Sequence, residues 1–364
     1  GAPPPPRSRR WEWRPQLAPG SRVDDAVDPE DPAAALVRLR SREHRNPIEY
    51  GCDGGYLTFS YDHGLGDGRL PMNLLALMSR AGGSAAPDFG VEVRGPVVRR
   101  LAGVARTEPV ELGRAVAAIV RRDRDVGHHP VARTAVEVAR GVHIGSVTSA
   151  PGLLARLDET RRARRLSRVA VVTHYVQRGL SEAGVPMAGE AEVLVDLRRD
   201  AGWQGPGTLA NLFSVVAVPV SGSIADLAAA LAHDTEPVRA VPRSALSLAL
   251  RYPQARRMRR ASAGRPPAVS LGPDVPVRLT VTDLSGAIAP RDVQWAEPEA
   301  GPPVFAISIP PATGDHLALG ITATRGHLHL TLTGVGDRFD RSGLCDGLDR
   351  ALAGIAEWLE AKAP

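Results

Sequence analysis

Lysine is almost missing from this chain. Of 45 basic residues only Lys362 is a lysine, which leaves 44 arginines among 364 residues. With 37 glycines, 32 prolines and abundant alanine, this is the coding bias of a GC-rich genome. Most of the arginine therefore reflects codon pressure rather than a basic surface shaped for a partner. Aromatic residues are also scarce, at 4% against 43% hydrophobic residues overall. The core must be built from Ala, Val and Leu, and the basic patches interleaved with stacking rings that bind single-stranded nucleic acid are missing. Cysteine is limited to Cys52 and Cys345, far apart in sequence, which excludes a disulfide scaffold and reads as two reduced thiols of a cytoplasmic protein. No apolar run is long enough to span a bilayer, and no signal-peptide pattern is present.

What remains is enough for two lobes or two domains. The net charge of +5 gives a mild preference for acidic partners, such as phosphorylated cofactors or acidic proteins. Residues 1–10 are Pro- and Arg-rich and read as disordered. There is no internal repeat. Helices are expected over Asp31–Arg42, Pro71–Arg80, Val110–Arg122, Pro151–Arg165, Ser167–Ala183, Ile224–His233, Ser244–Arg260 and about Ser342–Lys362, from apolar residues at helical spacing and from caps such as Gly184 and Pro186. Strands are expected over Tyr56–Tyr61, Thr134–Val142, Ala191–Leu197, Leu212–Val220, Val277–Thr282, Val304–Ile309, His316–Thr324 and His327–Thr333. Residues 81–108 read as irregular. Asp123–Arg133 reads as a loop approaching a lobe boundary, placed at 145/146. The two element types mix without strict βαβ alternation, so the class is α+β, or mixed α/β.

One stretch carries chemistry. Ser60-Tyr61-Asp62-His63-Gly64-Leu65-Gly66-Asp67-Gly68 joins the end of a strand to the start of a helix and contains H-x-x-x-D-G. A histidine of near-neutral pKa can take a proton from a hydroxyl or amine as that group attacks an electrophile. A carboxylate four residues on can pair with an arginine elsewhere and fix the turn. Gly64, Gly66 and Gly68 let the backbone bend behind the histidine. A purely structural turn is the competing reading. A phosphate-binding loop of the Rossmann kind fits poorly: Arg69 stands where the third glycine belongs, and Asp67 would face a phosphate with negative charge.

Further segments fall in the order of one superfamily. Glu192-Val193-Leu194-Val195-Asp196-Leu197-Arg198 is similar to a strand ending in Leu-Arg. Thr208-Leu209-Ala210-Asn211-Leu212-Phe213 is similar to a Gly-Asn-x-Phe strand. Leu279-Thr280-Val281-Thr282-Asp283-Leu284-Ser285-Gly286 is similar to a Ser-Asn-x-x-Gly segment that crosses between lobes. Over about residues 45–362 the chain resembles the chloramphenicol-acetyltransferase-like, CoA-dependent acyltransferases. These include nonribosomal peptide condensation domains, polyketide-associated acyltransferases and wax ester synthases. The chain departs from the pattern at Asp62, where the family often has a first histidine, at Ala210 in place of Gly, and at Asp283 in place of Asn. His63 also comes early, which implies either a shortened N-terminal lobe with a reduced acceptor pocket or residues missing from this chain.

The resemblance implies two lobes, 1–145 carrying H-x-x-x-D-G and 146–364, with an active-site tunnel between them. It implies acyl transfer from a CoA or carrier-protein thioester to an alcohol or amine, in natural-product or lipid biosynthesis. His63 is then the general base, with Asp67 and Gly68 completing the motif and Asp67 paired with Arg198. Asn211 orders the tunnel wall. Thr282, Ser285 or a backbone N–H near Gly68 stabilises the oxyanion. Partners are acyl-CoA or an acyl or peptidyl carrier protein and a small-molecule acceptor, without nucleic acid. No metal or redox cofactor is implied, and nothing is tightly bound; the thioester is a co-substrate. The alternatives are the same fold repurposed for cyclisation or hydrolysis, and a non-catalytic binding or scaffolding relative.

Other groups read as ordinary structure. His128-His129 beside Asp123 and Asp125 matches no reliable ligand spacing. His327 and His329 share one face of a strand. His174 lies in an apolar helix and reads as a satisfied core histidine. The runs Arg161-Arg162-Ala163-Arg164-Arg165 and Arg256-Arg257-Met258-Arg259-Arg260 read as solvated helix faces, with an acidic carrier or CoA phosphates as the functional alternative.

Overall fold

The computed structural model describes residues 28, 31–41, 48–53, 56–61, 68, 70–72, 74, 103, 106–110, 112–114, 116–117, 141–197, 213–236, 275–286, 304–309, 311, 314–336 and 338–361. The sequence motifs that place strands in the second half build one six-stranded sheet. Its strands are β3 (Val142–Thr148), β4 (Met187–Asp196), β5 (Phe213–Pro219), β6 (Val277–Asp283), β7 (His316–Thr324) and β8 (His327–Val335). Their spatial order is β3-β8-β7-β6-β4-β5. β6 runs parallel to both β4 and β7, and the other neighbours are antiparallel. A separate antiparallel hairpin pairs β1 (Ile48–Asp53) with β2 (Tyr56–Tyr61). The result is a mixed α/β fold.

Alternation divides the large sheet into two unlike faces. Residues of one parity, among them Val193, Val216, Leu279, Val281, Leu317, Leu319, Ile321, Leu328, Leu330 and Leu332, are buried and apolar. On this face lie α2 (Leu153–Ala163), α3 (Arg168–Glu182) and α5 (Arg341–Glu360), and together they form the main core. α3 starts where Ser167 Oγ accepts from Ala170 N (3.1 Å), and α4 (Ile224–Asp234) starts with a full capping box between Ser223 and Asp226. α3 and α5 cross closely at glycines. A Cβ on Gly179 would lie 2.9 Å from Ala351 N and closer still to Gly347 O.

The opposite parity is polar. Register places Thr282, Gly320, Thr331 and Ser146 in one row, and Thr280, Ala318 and Thr333 in the next. On this polar face Thr322, Thr324, Thr331 and Thr333 are buried, while Ser146, Thr148, Thr280 and Thr282 are half-buried. α1 (Pro32–Ser41) covers its β3 side, packing Ala33, Leu36 and Val37 on Val142, Ile144 and Val335.

Several expectations need correction. The run 304–309 is not a strand. It crosses the polar face instead, with Ile307 N donating to Thr331 Oγ1 (3.3 Å) and Ile307 O 3.5 Å from where a Gly320 Cβ would sit. Its backbone donor is satisfied by a side chain, so it joins no ladder. The strand leading into the sheet is Val142–Thr148; of the expected Thr134–Val142 only Gly141 and Val142 lie within the described residues. β1 was not expected. It forms by pairing with β2, Tyr50 facing Phe59.

Candidate active site

The described part of the site is the turn that follows β6. Leu284 N continues the parallel ladder by donating to Ile321 O (2.9 Å). Asp283 Oδ1 then accepts from Ser285 N at 2.8 Å, a short side-chain-to-backbone turn that folds the chain back at once. Thr282 points to the polar face by strand parity and is half-buried. The Ser285 hydroxyl oxygen is shut off from solvent and has no hydrogen-bond partner among the described residues. A buried hydroxyl without a partner is costly.

Gly68 is brought against the same turn. A Cβ built on it would meet Leu284 Cδ2 at 2.6 Å. The glycine that ends H-x-x-x-D-G therefore lies against Leu284 of the turn after β6. His63, Asp67, Arg198 and Asn211 lie outside the described residues.

Behind the turn stands an ion network that sequence reading missed. Arg168, at the start of α3, donates to both Asp158 oxygens, at 2.9 Å and 3.0 Å, and its other terminal nitrogen lies 3.9 Å from Asp283 Oδ2. Arg161 donates to Asp158 Oδ1 at 2.6 Å. Burial tends to raise the Asp158 pKa, but the hydrogen bonds and charges of Arg161 and Arg168 outweigh it and hold the carboxyl below its usual value. Asp283, which departs from the family's Asn, is thus tied to a cation while its other oxygen shapes the turn. Part of the first arginine run serves this network: Arg161 is in it, whereas Arg164 and Arg165 are exposed. The second run lies outside the described residues.

The polar face carries two further imidazoles. His329 is buried. Its Nδ1 pairs with Thr148 Oγ1 (3.0 Å) and its Nε2 with Thr324 Oγ1 (2.8 Å). Burial, with a smaller push from His327, lowers its pKa to about 4. It does share a strand face with His327, but on that face it is buried rather than solvated. His316 Nδ1 lies 3.3 Å from Thr280 Oγ1, which also donates to Glu192 Oε2 (3.4 Å). Burial lowers the His316 pKa despite the opposing charges of Glu192 and Asp315. Both rings are neutral near pH 7. His174 is half-buried on α3, edge-on to Tyr175. Strand parity over 277–335 would have found the polar face; no local signal pointed to the Arg168 network.

The His128-His129 segment lies outside the described residues, and among those described no group of three or more His, Cys, Asp or Glu side chains is placed to hold a metal. No helix among them is long and apolar enough to cross a membrane. Sequence comparison finds no matching family model and no matching curated protein. Structure comparison does find matches. The first condensation domain of the calcium-dependent antibiotic synthetase, solved with a substrate analogue, superposes with a TM-score of 0.52 at 14% identity, over 94% of this chain and 76% of that one. This chain has the condensation-domain fold. The nonribosomal peptide synthetase FmoA3 gives the same TM-score at 18% identity, over 97% of this chain. The chain spans 38% of that synthetase.

Proposed function

We propose that this condensation-fold chain is an acyltransferase that moves an acyl group from a CoA or carrier-protein thioester to an alcohol or amine. The observation that carries the reading is the contact between Gly68 and Leu284. It joins the end of the H-x-x-x-D-G stretch to a turn holding an unpartnered buried hydroxyl, in a chain with the condensation fold.

In this reading His63 takes the proton from the acceptor hydroxyl or amine as its oxygen or nitrogen attacks the thioester carbonyl. Negative charge moves to the carbonyl oxygen. Ser285 Oγ is the preferred donor to it, with Thr282 or a backbone N–H near Gly68 as the neighbours able to assist. When the tetrahedral intermediate collapses, the C–S bond breaks and the imidazolium returns its proton to the leaving thiolate. Asp67 is assigned to hold the turn through Arg198, and Asn211 to order the tunnel wall. No metal or redox step is needed, since the thioester carries the energy of the reaction. Biosynthesis of a peptide, polyketide or lipid product suits these substrates, and the mild positive charge suits an acidic carrier.

The test is product identification by mass spectrometry with matched acyl-CoA and acyl-carrier thioesters and mixed alcohol and amine acceptors. An ester or amide of the acceptor supports the reading. Free acid alone would replace transfer with hydrolysis, and no product from any donor would favour a binding role.

A further inference from the structure

Arg40 stands in the last turn of α1, over the polar face of the sheet, and no carboxylate among the described residues pairs with it. Its polar partner among them is neutral: Nη1 donates to Ser308 Oγ at 3.2 Å. Its Nε–H is shut off from solvent and has no partner among the described residues. Burial lowers its pKa. Arginine does not escape burial by losing its proton in proteins, so a cation is held here with little compensation. The C-terminal end of the α1 dipole offers only a partial negative charge.

The surroundings fit a missing anion. Ser308 Oγ accepts from Arg40 and also from Thr333 Oγ1 (3.4 Å), so its own O–H remains to donate. With Nη1 engaged, the free edge of the guanidinium is the one formed by Nε and Nη2. Two parallel N–H groups on that edge match a carboxylate or a phosphate. A half-buried arginine with an unpartnered Nε–H beside a hydroxyl with a spare proton is suited to bind an anion. A solvated ion pair would show the opposite pattern, an exposed guanidinium near an acid.

We propose that Arg40 and Ser308 form an anion subsite that binds the carboxylate or phosphate of a small-molecule ligand on the polar face of the sheet. The site shares that face with Thr282, through the rows Thr280–Ala318–Thr333 and Thr282–Gly320–Thr331. The inference does not depend on acyl transfer, since any ligand with such a group would satisfy the cation.

Thermal melting of the full chain tests it. Sodium phosphate and sodium acetate are each titrated against sodium chloride at matched ionic strength, for the wild type, Arg40→Met, and Arg164→Met as an exposed control. The wild type and Arg164→Met should show a saturable rise in Tm with at least one anion, about 2 °C at ten times Kd, and Arg40→Met should show none. A rise with phosphate only assigns a phosphate ligand, and one with acetate only a carboxylate. An equal rise in Arg40→Met, or no rise in the wild type, overturns the proposal. Should Arg40→Met fail to fold, Arg40→Lys and Ser308→Ala take its place. Each should weaken the apparent affinity roughly tenfold or more through loss of one charge-assisted bond, and unchanged affinity in both overturns the proposal.

Discussion

Replacing Gly68 by alanine puts a methyl group into the contact that joins the two halves of the proposed site. Its Cβ would lie 2.6 Å from Leu284 Cδ2, about 0.8 Å short of the 3.4 Å at which ordinary contact begins. The obstacle is the far end of one flexible side chain, with the other near atoms being Leu284 Cδ1 at 3.4 Å and Cγ at 3.6 Å. Relief comes from moving Leu284, and Leu284 adjoins the Asp283–Ser285 turn. Overpacking of this kind costs roughly 1–3 kcal/mol. The turn is held by one side-chain bond and should yield before the sheet does. A sub-ångström displacement of a reacting group can reduce a rate by about tenfold to a hundredfold. Gly68→Ala should therefore reduce turnover by about that factor with a Tm loss of only a few degrees. Leu284→Ala opens the space that the new methyl needs, so adding it should restore part of the loss. The double-mutant coupling should be about 1 kcal/mol or more, read in parallel from turnover and from thermal melting. If the two changes add without coupling in both assays, Gly68 and Leu284 are not in contact and the site is wrongly assembled.

Three further outcomes follow from the same structure. Gly179→Ala should lower stability by about 2 kcal/mol, since forcing α3 from α5 costs roughly 3 and better helix propensity returns about 1; Gly113→Ala, with nothing within 4 Å, should be neutral or stabilising by denaturant melts. The carboxyl of Asp158 has a lowered folded pKa, so its ion network stabilises above the unfolded value of about 3.9 and is lost as pH falls through the folded pKa. Asp158→Asn should cost about 2 kcal/mol at pH 7 and close to nothing at the acid end, in urea melts at the two pH values. His329 is a base whose folded pKa, about 4, lies below its unfolded value of 6.5. Its neutral form is favoured in the fold, so stability is full above pH 6.5 and falls as pH drops toward 4, by at most about 3 kcal/mol. His329→Asn should flatten that slope in part, with His316 supplying a remainder in the same direction.

Much of the fold was legible because burial on one face imposes alternation. Tyr56–Tyr61 and His316–Thr324 form strands with the expected bounds, and β6 and β8 differ only by a residue or two at their ends. The expected helix Ser167–Ala183 matches α3 within a residue at each end, with Ser167 as its cap. The misread run Val304–Ile309 has strand-like composition, but what decides a strand is a partner for its backbone, and here Thr331 supplies one from a side chain. β1 escaped notice because Gly51, Cys52 and Asp53 carry little strand propensity, and its pairing with β2 outweighs that. Of the H-x-x-x-D-G motif only Gly68 lies within the described residues, against Leu284. Arg40 and Ser308 lie 268 residues apart, and one arginine among 44 has no local mark. Only the fold shows that this one has no acid beside it among the described residues.

The central claim is that this condensation fold transfers acyl groups with His63 as the base. Free-thiol release from acyl-CoA and acyl-carrier thioesters, with and without alcohol and amine acceptors, tests it most directly in the wild type and in His63→Ala of equal Tm. The account predicts release that depends on an acceptor and falls by about a hundredfold or more in His63→Ala. Acceptor-dependent release that persists unchanged in His63→Ala would contradict it.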